Sequence, residues 1–289
     1  MNTIYKSLNI KNIIRTSFLL SPFSFLLFTP AFAQDTLYVW KGGNVIYQRA
    51  MNQIDTIIVI PPATPPPPCS GTVSDLSGFI YNMVQVGTQC WMKENLRTRR
   101  FNDNVVIDHL PENVQWSLNT TGAMSYPDND PNNANPYGAY YNWHAVMTGK
   151  LCPTGWHVPT LEEWDVLERY LITEGYNWDG AVSGNKIAKS MAAISPGNRG
   201  TWVEVEMEGT PGSTTDFGEI IRNSTGFTVH PAGNREANGV FGILGLHTYF
   251  WCYSPDTPWL KYMMYMSVDF GGYNTQKGNG LSVRCLRDN

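Results

Sequence analysis

Residues 152–172 read CPTGWHVPTLEEWDVLERYLI, and no other stretch of the chain says as much about its fold. Directly after Pro159, Thr160 and Glu163 form a T-x-x-E capping box, in which each side chain satisfies a backbone N–H that a helix start leaves open. Trp164, Leu167 and Leu171 follow at i, i+3 and i+7, on one face of a helix. The spacing predicts a helix over Thr160–Ile172 that docks by that face. A second helical periodicity covers Tyr137–Met147, and strand-like stretches cover Gly78–Val86, Phe227–Pro231, Tyr262–Phe270 and Leu281–Leu286. Long runs rich in Gly, Asn, Asp and Pro separate them. The pattern predicts an α+β domain in which loops dominate and carry the function.

Working outward, the whole chain has 289 residues, enough for one large or two ordinary domains. Charged residues make up 15%, well below the usual quarter, and aromatics reach 13% beside 26 Gly and 19 Pro. Such a composition excludes a coiled coil. The net charge of -4 carries no basic nucleic-acid footprint, so nucleic acid is not an expected partner.

Lys6, Lys11 and Arg15 precede an apolar run around Leu19–Phe28 and an Ala31-Phe32-Ala33 peptidase signature, so residues 1–33 read as a signal peptide. The alternative, a membrane anchor, conflicts with the breaks at Ser21, Pro22 and Ser24, and no transmembrane segment is expected after cleavage. Cleavage before Gln34 would leave 17 Lys and Arg against 24 Asp and Glu, a net charge of about -7. The expected location is secreted, extracellular or at the outer cell surface, with the periplasm as the other compartment that export allows. Residues 34–60 contain two β-rich runs around Gly42-Gly43, a hairpin signal, and a third run at Ile54–Ile60. Residues 61–68, PPATPPPP, read as a polyproline spacer. Residues 69–289 contain no second linker and read as one domain.

An exported chain meets oxidising conditions, so the five cysteines, Cys69, Cys90, Cys152, Cys252 and Cys285, read as disulfide formers with one left over. No C-x-x-C spacing and no neighbouring His argue for a structural zinc site. His109, His144, His157, His230 and His247 are scattered. His157 reads as structural, and a nucleophile pair of Cys252 with His247 lacks a group to orient the imidazole. Asp128, Asp130 and Asn132 alternate as in the start of a calcium loop, but the Gly and Glu that complete one are missing. Solvated turns are the simpler reading of that segment, with calcium the alternative; no cofactor is expected otherwise.

Four segments together resemble a known family. VGTQCWMKENL at 86–96, NPYGAYYNWHAVMTGKLCPTGWHVPTLEEWDVL at 135–167, STGFTVHPAGNREANGVF at 224–241 and GLSVRCLRDN at 280–289 are similar to the Fibrobacter succinogenes major paralogous domain. The resemblance covers nearly all of residues 69–289, yet the family has no agreed biochemical role. More distantly, HVPTLEEW and SVRC are similar to the helix start and final strand of formylglycine-generating-enzyme and related sulfatase-modifying domains. That likeness implies a C-type lectin-like fold. Their redox cysteine pair has no counterpart, because Cys285 is the sole cysteine from Tyr253 onward, so no oxidase activity is expected.

Cysteine positions common in the family imply Cys69–Cys90 and Cys152–Cys285 bridges with Cys252 free; pairing of Cys252 with Cys285 is the alternative. The sugar-binding tripeptides of calcium-dependent lectins are missing. The favoured function is a non-catalytic recognition module that binds glycans or cell-surface proteins through loops between about Gly226 and Asn279. Trp251, Tyr253, Trp259 and Tyr273 are its candidate stacking residues, and Asn234, Arg235, Glu236 and Asn238 its polar contacts. The alternatives are an enzyme using Cys252 or a carboxylate such as Glu163, and a structural subunit of a surface assembly.

Overall fold

The capping box forms as the sequence predicts. In the computed structural model of the chain, the Thr160 side chain accepts from the Glu163 backbone N–H at 3.2 Å, and the Glu163 carboxylate accepts from the Thr160 N–H at 2.8 Å. The helix it starts runs Leu161–Thr173 and buries Trp164, Leu167 and Leu171. Structure is described for residues 68–194, 201–215 and 221–288 and for four strands before them.

The chain divides into two units, Met1–Pro66 and Pro67–Asn289. In the first, Thr36–Lys41 pairs antiparallel with Asn44–Ala50, the hairpin expected around positions 42 and 43, and Ile57–Ile58 pairs with Ser7–Leu8. The rest of the expected leader and nearly all of the proline-rich segment lie outside the described residues.

The second unit is mixed α+β with short strands. A five-stranded antiparallel sheet runs in the order Trp156–His157, Leu286–Arg287, Gln89–Met92, Ile80–Val86, Thr72–Ser74. A three-stranded antiparallel meander is made by His247–Trp251, Trp259–Met264 and Gly271–Asn274. Strand residues alternate between two apolar cores, as the pleat requires. Cys90 and Met92 join Trp251, Leu260 and Val283 in one core, while Trp91 joins Phe250, Met263 and the helix residues Trp164, Leu167 and Leu171 in the other. Trp164 sits 4.6 Å from Trp91 and 5.5 Å from both Phe250 and Phe270, ring centre to ring centre. Lys261, buried beside them, clamps the helix to the meander through Asp165 at 2.9 Å and Glu168 at 3.0 Å.

Two disulfides hold the unit, Cys69–Cys90 and Cys152–Cys285, with Cys252 buried and free. The second bridge joins the segment before the capped helix to the residue directly preceding the C-terminal strand.

Several sequence expectations require correction. Tyr137–Met147 is not one helix: helix covers Ala134–Tyr137 and Trp143–Val146, with the strand Tyr140–Tyr141 between. Gly138 breaks it, with φ at +83° and so close to Asn95 that a Cβ would lie 2.5 Å from that residue's own. Tyr262–Phe270 is not one strand, because the chain turns after Met264 and returns at Gly271. Phe227–Pro231 contributes a single bridge, Val229 with Ala192. From Leu281–Leu286, Leu281 and Ser282 make isolated bridges and Leu286 opens the last short strand.

Candidate functional site

Strand register decides which aromatic side chains can work together. Tyr249 pairs with Tyr262 and that with Gly271, while Trp251 pairs with Leu260 and that with Tyr273. Directly paired residues point the same way and neighbours along a strand alternate. His247, Tyr249, Trp251, Leu260, Tyr262 and Tyr273 therefore share one face of the meander; Phe250, Trp259 and Lys261 occupy the other. Gly271 lets the Tyr262 ring lie across it, since a Cβ there would sit 2.3 Å from a ring carbon.

On the tyrosine face opens a cleft of about 560 Å³, within the ~300–1,000 Å³ of small-molecule sites. Its deepest lining is Tyr249, Leu260 and Leu281, all buried, with Ile243 beside them. Asn234 lines it from a strand, and Glu236 and Asn238 from the turn, of a small hairpin, Asn234–Arg235 with Phe241–Gly242. Tyr273, Thr275, Gln276 and Asn279 line it from the end of the meander. Arg235 and Gly280 tie the two segments together by exchanging backbone hydrogen bonds of 2.9 and 2.7 Å.

Part of the polar lining is pre-set. Asn238 donates to Glu236 at 3.1 Å and accepts from the Val240 N–H at 2.8 Å; Asn279 donates to the Thr275 hydroxyl at 2.6 Å. Among the described residues, the side chains of Asn234 and Gln276 have no hydrogen-bond partner. Burial pushes the Tyr249 phenol above its ordinary value, with the neighbouring Tyr273 adding to the shift.

The eight residues expected to bind ligand thus separate. Tyr273, Asn234, Glu236 and Asn238 meet in the cleft. Trp251 does not, because it is 0% exposed and its indole donates to the Tyr141 carbonyl at 2.6 Å. Arg235 is likewise 0% exposed, its guanidinium donating to the carbonyls of Leu110, Pro111 and Gly239 between the rings of Trp116 and Phe241. It shapes the hairpin from below. Trp259 is on the opposite face of the meander, and Tyr253 is bound through its backbone to Pro159 at 2.7 Å, beside the capped helix. Neither lines the cleft. Tyr249, Ile243, Leu260, Thr275, Gln276, Asn279 and Leu281 were missed. Tyr249 carried a signal, its place two residues before Trp251 in a strand-like run; the others depend on long-range packing.

The other candidate chemistries have structural explanations. His157 lies between two carboxylates, 2.6 Å from Asp288 and 2.9 Å from Glu163, while Glu163 also serves the helix cap. The Cys252 thiol is buried, which pushes its pKa up to about 12. His247 bonds the Tyr249 hydroxyl at 3.1 Å instead of approaching it, since five residues along an extended chain point the two side chains oppositely. Asp130 accepts from both the backbone and side-chain nitrogens of Asn132, an Asx turn, and Asp128 is exposed at φ +53°. Among the described residues, no group of three or more His, Cys, Asp or Glu side chains is placed to hold a metal ion, and no helix is long and apolar enough to cross a membrane.

The fold and site thus define an α+β domain with two disulfides and an open, polar cleft floored by tyrosine and leucine. The Fibrobacter succinogenes major domain model matches residues 84–287, most of the chain, and the protein belongs to that family. No curated protein and no solved structure matches it.

Proposed function

We propose that the protein is an exported, non-catalytic recognition module, a variant of the C-type lectin-like fold, that binds glycans in the cleft around Tyr249 and Tyr273. The observation that carries this reading is the composition of the lining: aromatic rings and apolar side chains beside a set of amides, a hydroxyl and a carboxylate. A sugar ring offers apolar C–H faces to an aromatic and hydroxyls to amides, which both donate and accept. Glu236 is the sole carboxylate among the described lining residues, whereas glycoside hydrolysis ordinarily uses two, roughly 5–9.5 Å apart. This favours holding a glycan over cutting it. The two disulfides suit an oxidising compartment.

The test is a glycan array probed with the oxidised full chain and with Tyr273→Ala. Binding that is lost in the variant supports the reading. Binding that the variant retains, or a bound glycan that is hydrolysed on incubation, overturns it.

A further inference from the structure

Resting on that reading, we propose that the cleft selects uncharged glycan segments and that Glu236 sets the selectivity by turning away sugars that carry uronate or sulfate. Among the described residues lining the cleft, Glu236 alone carries a formal charge, and no Lys, Arg or His is present to receive an anion. The nearby cations are spent elsewhere. Arg235 directs its guanidinium away from the cleft, to Leu110, Pro111, Gly239 and the Asn113 side chain, and is held between two aromatic rings. Lys277, next to Gln276 in the lining segment, folds its ammonium over the Trp143 ring at 4.4 Å.

An anionic sugar entering this open site would give up part of its hydration against the buried floor and gain no counter-charge. It would also meet the Glu236 carboxylate, which Asn238 holds in place at 3.1 Å. A neutral pyranose pays neither cost. Its hydroxyls can donate to the Glu236 carboxylate and exchange hydrogen bonds with Asn234 and Gln276, whose side chains are uncommitted among the described residues. Tyr273, 43% exposed, offers a ring face to the C–H side of the sugar. Discrimination therefore comes from an element placed against the wrong ligand as well as from contacts to the right one.

The test is calorimetry of the oxidised full chain with neutral hexasaccharides (cellohexaose, mannohexaose, xylohexaose) and acidic ones (hexagalacturonate, a heparin hexasaccharide), at low and high salt. A neutral ligand should bind with affinity nearly independent of salt, and the acidic ones at least about tenfold more weakly at low salt, the gap narrowing as salt screens the repulsion. Glu236→Lys should close the gap by about tenfold or more, and Glu236→Gln by part of that, with unchanged melting temperatures. Should the lysine variant not fold, the glutamine variant decides. Acidic hexasaccharides that bind as well as neutral ones, or a gap that both variants leave untouched, would overturn the selectivity while the glycan reading stands. No binding of either class would overturn the glycan reading and the selectivity with it.

Discussion

Tyr249 and Tyr273 meet edge to face, ring centres 6.5 Å apart and planes at 79°, one buried in the cleft and the other at its rim. They come from outer strands of the meander, separated by the strand that carries Leu260 and Tyr262. The pair assigns different tasks to two tyrosines: one supports the floor and the other presents a surface.

That division gives opposite mutational signatures. Tyr273→Ala should lower glycan affinity by more than about 1 kcal/mol while leaving stability nearly intact. Tyr249→Ala should destabilise the domain by about 3–5 kcal/mol, as truncation of a buried large aromatic does. Calorimetric titration and thermal melts of both variants check the contrast; equal loss of stability in the two would contradict it.

The capped helix should respond in proportion to what each residue buries. Thr160→Ala removes one capping hydrogen bond and should cost about 1 kcal/mol. Trp164→Ala should cost about 3–5 kcal/mol, because its ring touches Trp91, Phe250, Phe270 and Phe227 in the second core. Urea denaturation of each single variant measures both.

His157 should make stability depend on pH near neutrality. Its hydrogen bond to Glu163 raises the imidazole pKa, burial opposes this, and Asp288 adds to the rise. A raised folded-state value means the contribution is complete below the unfolded pKa of ~6.5 and is lost as pH climbs through the folded value. Burial works to raise the Glu163 pKa, but His157 and the Thr160 N–H outweigh it and the net shift is downward, so its contribution is lost at the acid end instead. Melting temperature plotted against pH should therefore fall on the alkaline side of ~6.5 in the native protein and flatten there in His157→Asn.

The thiols should separate cleanly by accessibility. Unreduced peptide maps should show Cys69 joined to Cys90 and Cys152 to Cys285, with Cys252 alkylated only after unfolding, because its thiol is buried and its pKa is pushed up to about 12. Loop-entropy reasoning assigns about 3 kcal/mol to the 21-residue closure and about 5 kcal/mol to the 133-residue one. Cys152→Ser with Cys285→Ser should accordingly lower the melting temperature more than Cys69→Ser with Cys90→Ser.

Some of this architecture was readable from the chain because its causes are local. A capping box spans three residues and an apolar helix face repeats over three or four, so Thr160, Glu163, Trp164, Leu167 and Leu171 announce themselves. Glu236 and Asn238, named from the sequence as polar contacts, stand in the turn of the small hairpin, where short-range backbone preferences put polar residues and Gly at the surface. Arg235, in the strand that leads into that turn, was misread as a surface contact. Its carbonyl partners at Leu110 and Pro111 lie more than a hundred residues away, and nothing near it in sequence signals that a buried cation would be satisfied there.

The sequence by itself determined the helix, its start and docking face, the α+β character and the family. Only the tertiary structure decided which aromatics are exposed. Trp251, Trp259 and Tyr273 look equivalent in an aromatic-rich C-terminal run, yet one is in the core, one on the opposite face of the sheet and one at the cleft rim. The physical reason is that side-chain direction in a strand has a period of two, so the face depends on pairing register across the sheet. Burial then depends on which distant segment packs over that face, and neither quantity is written in any window of neighbouring residues.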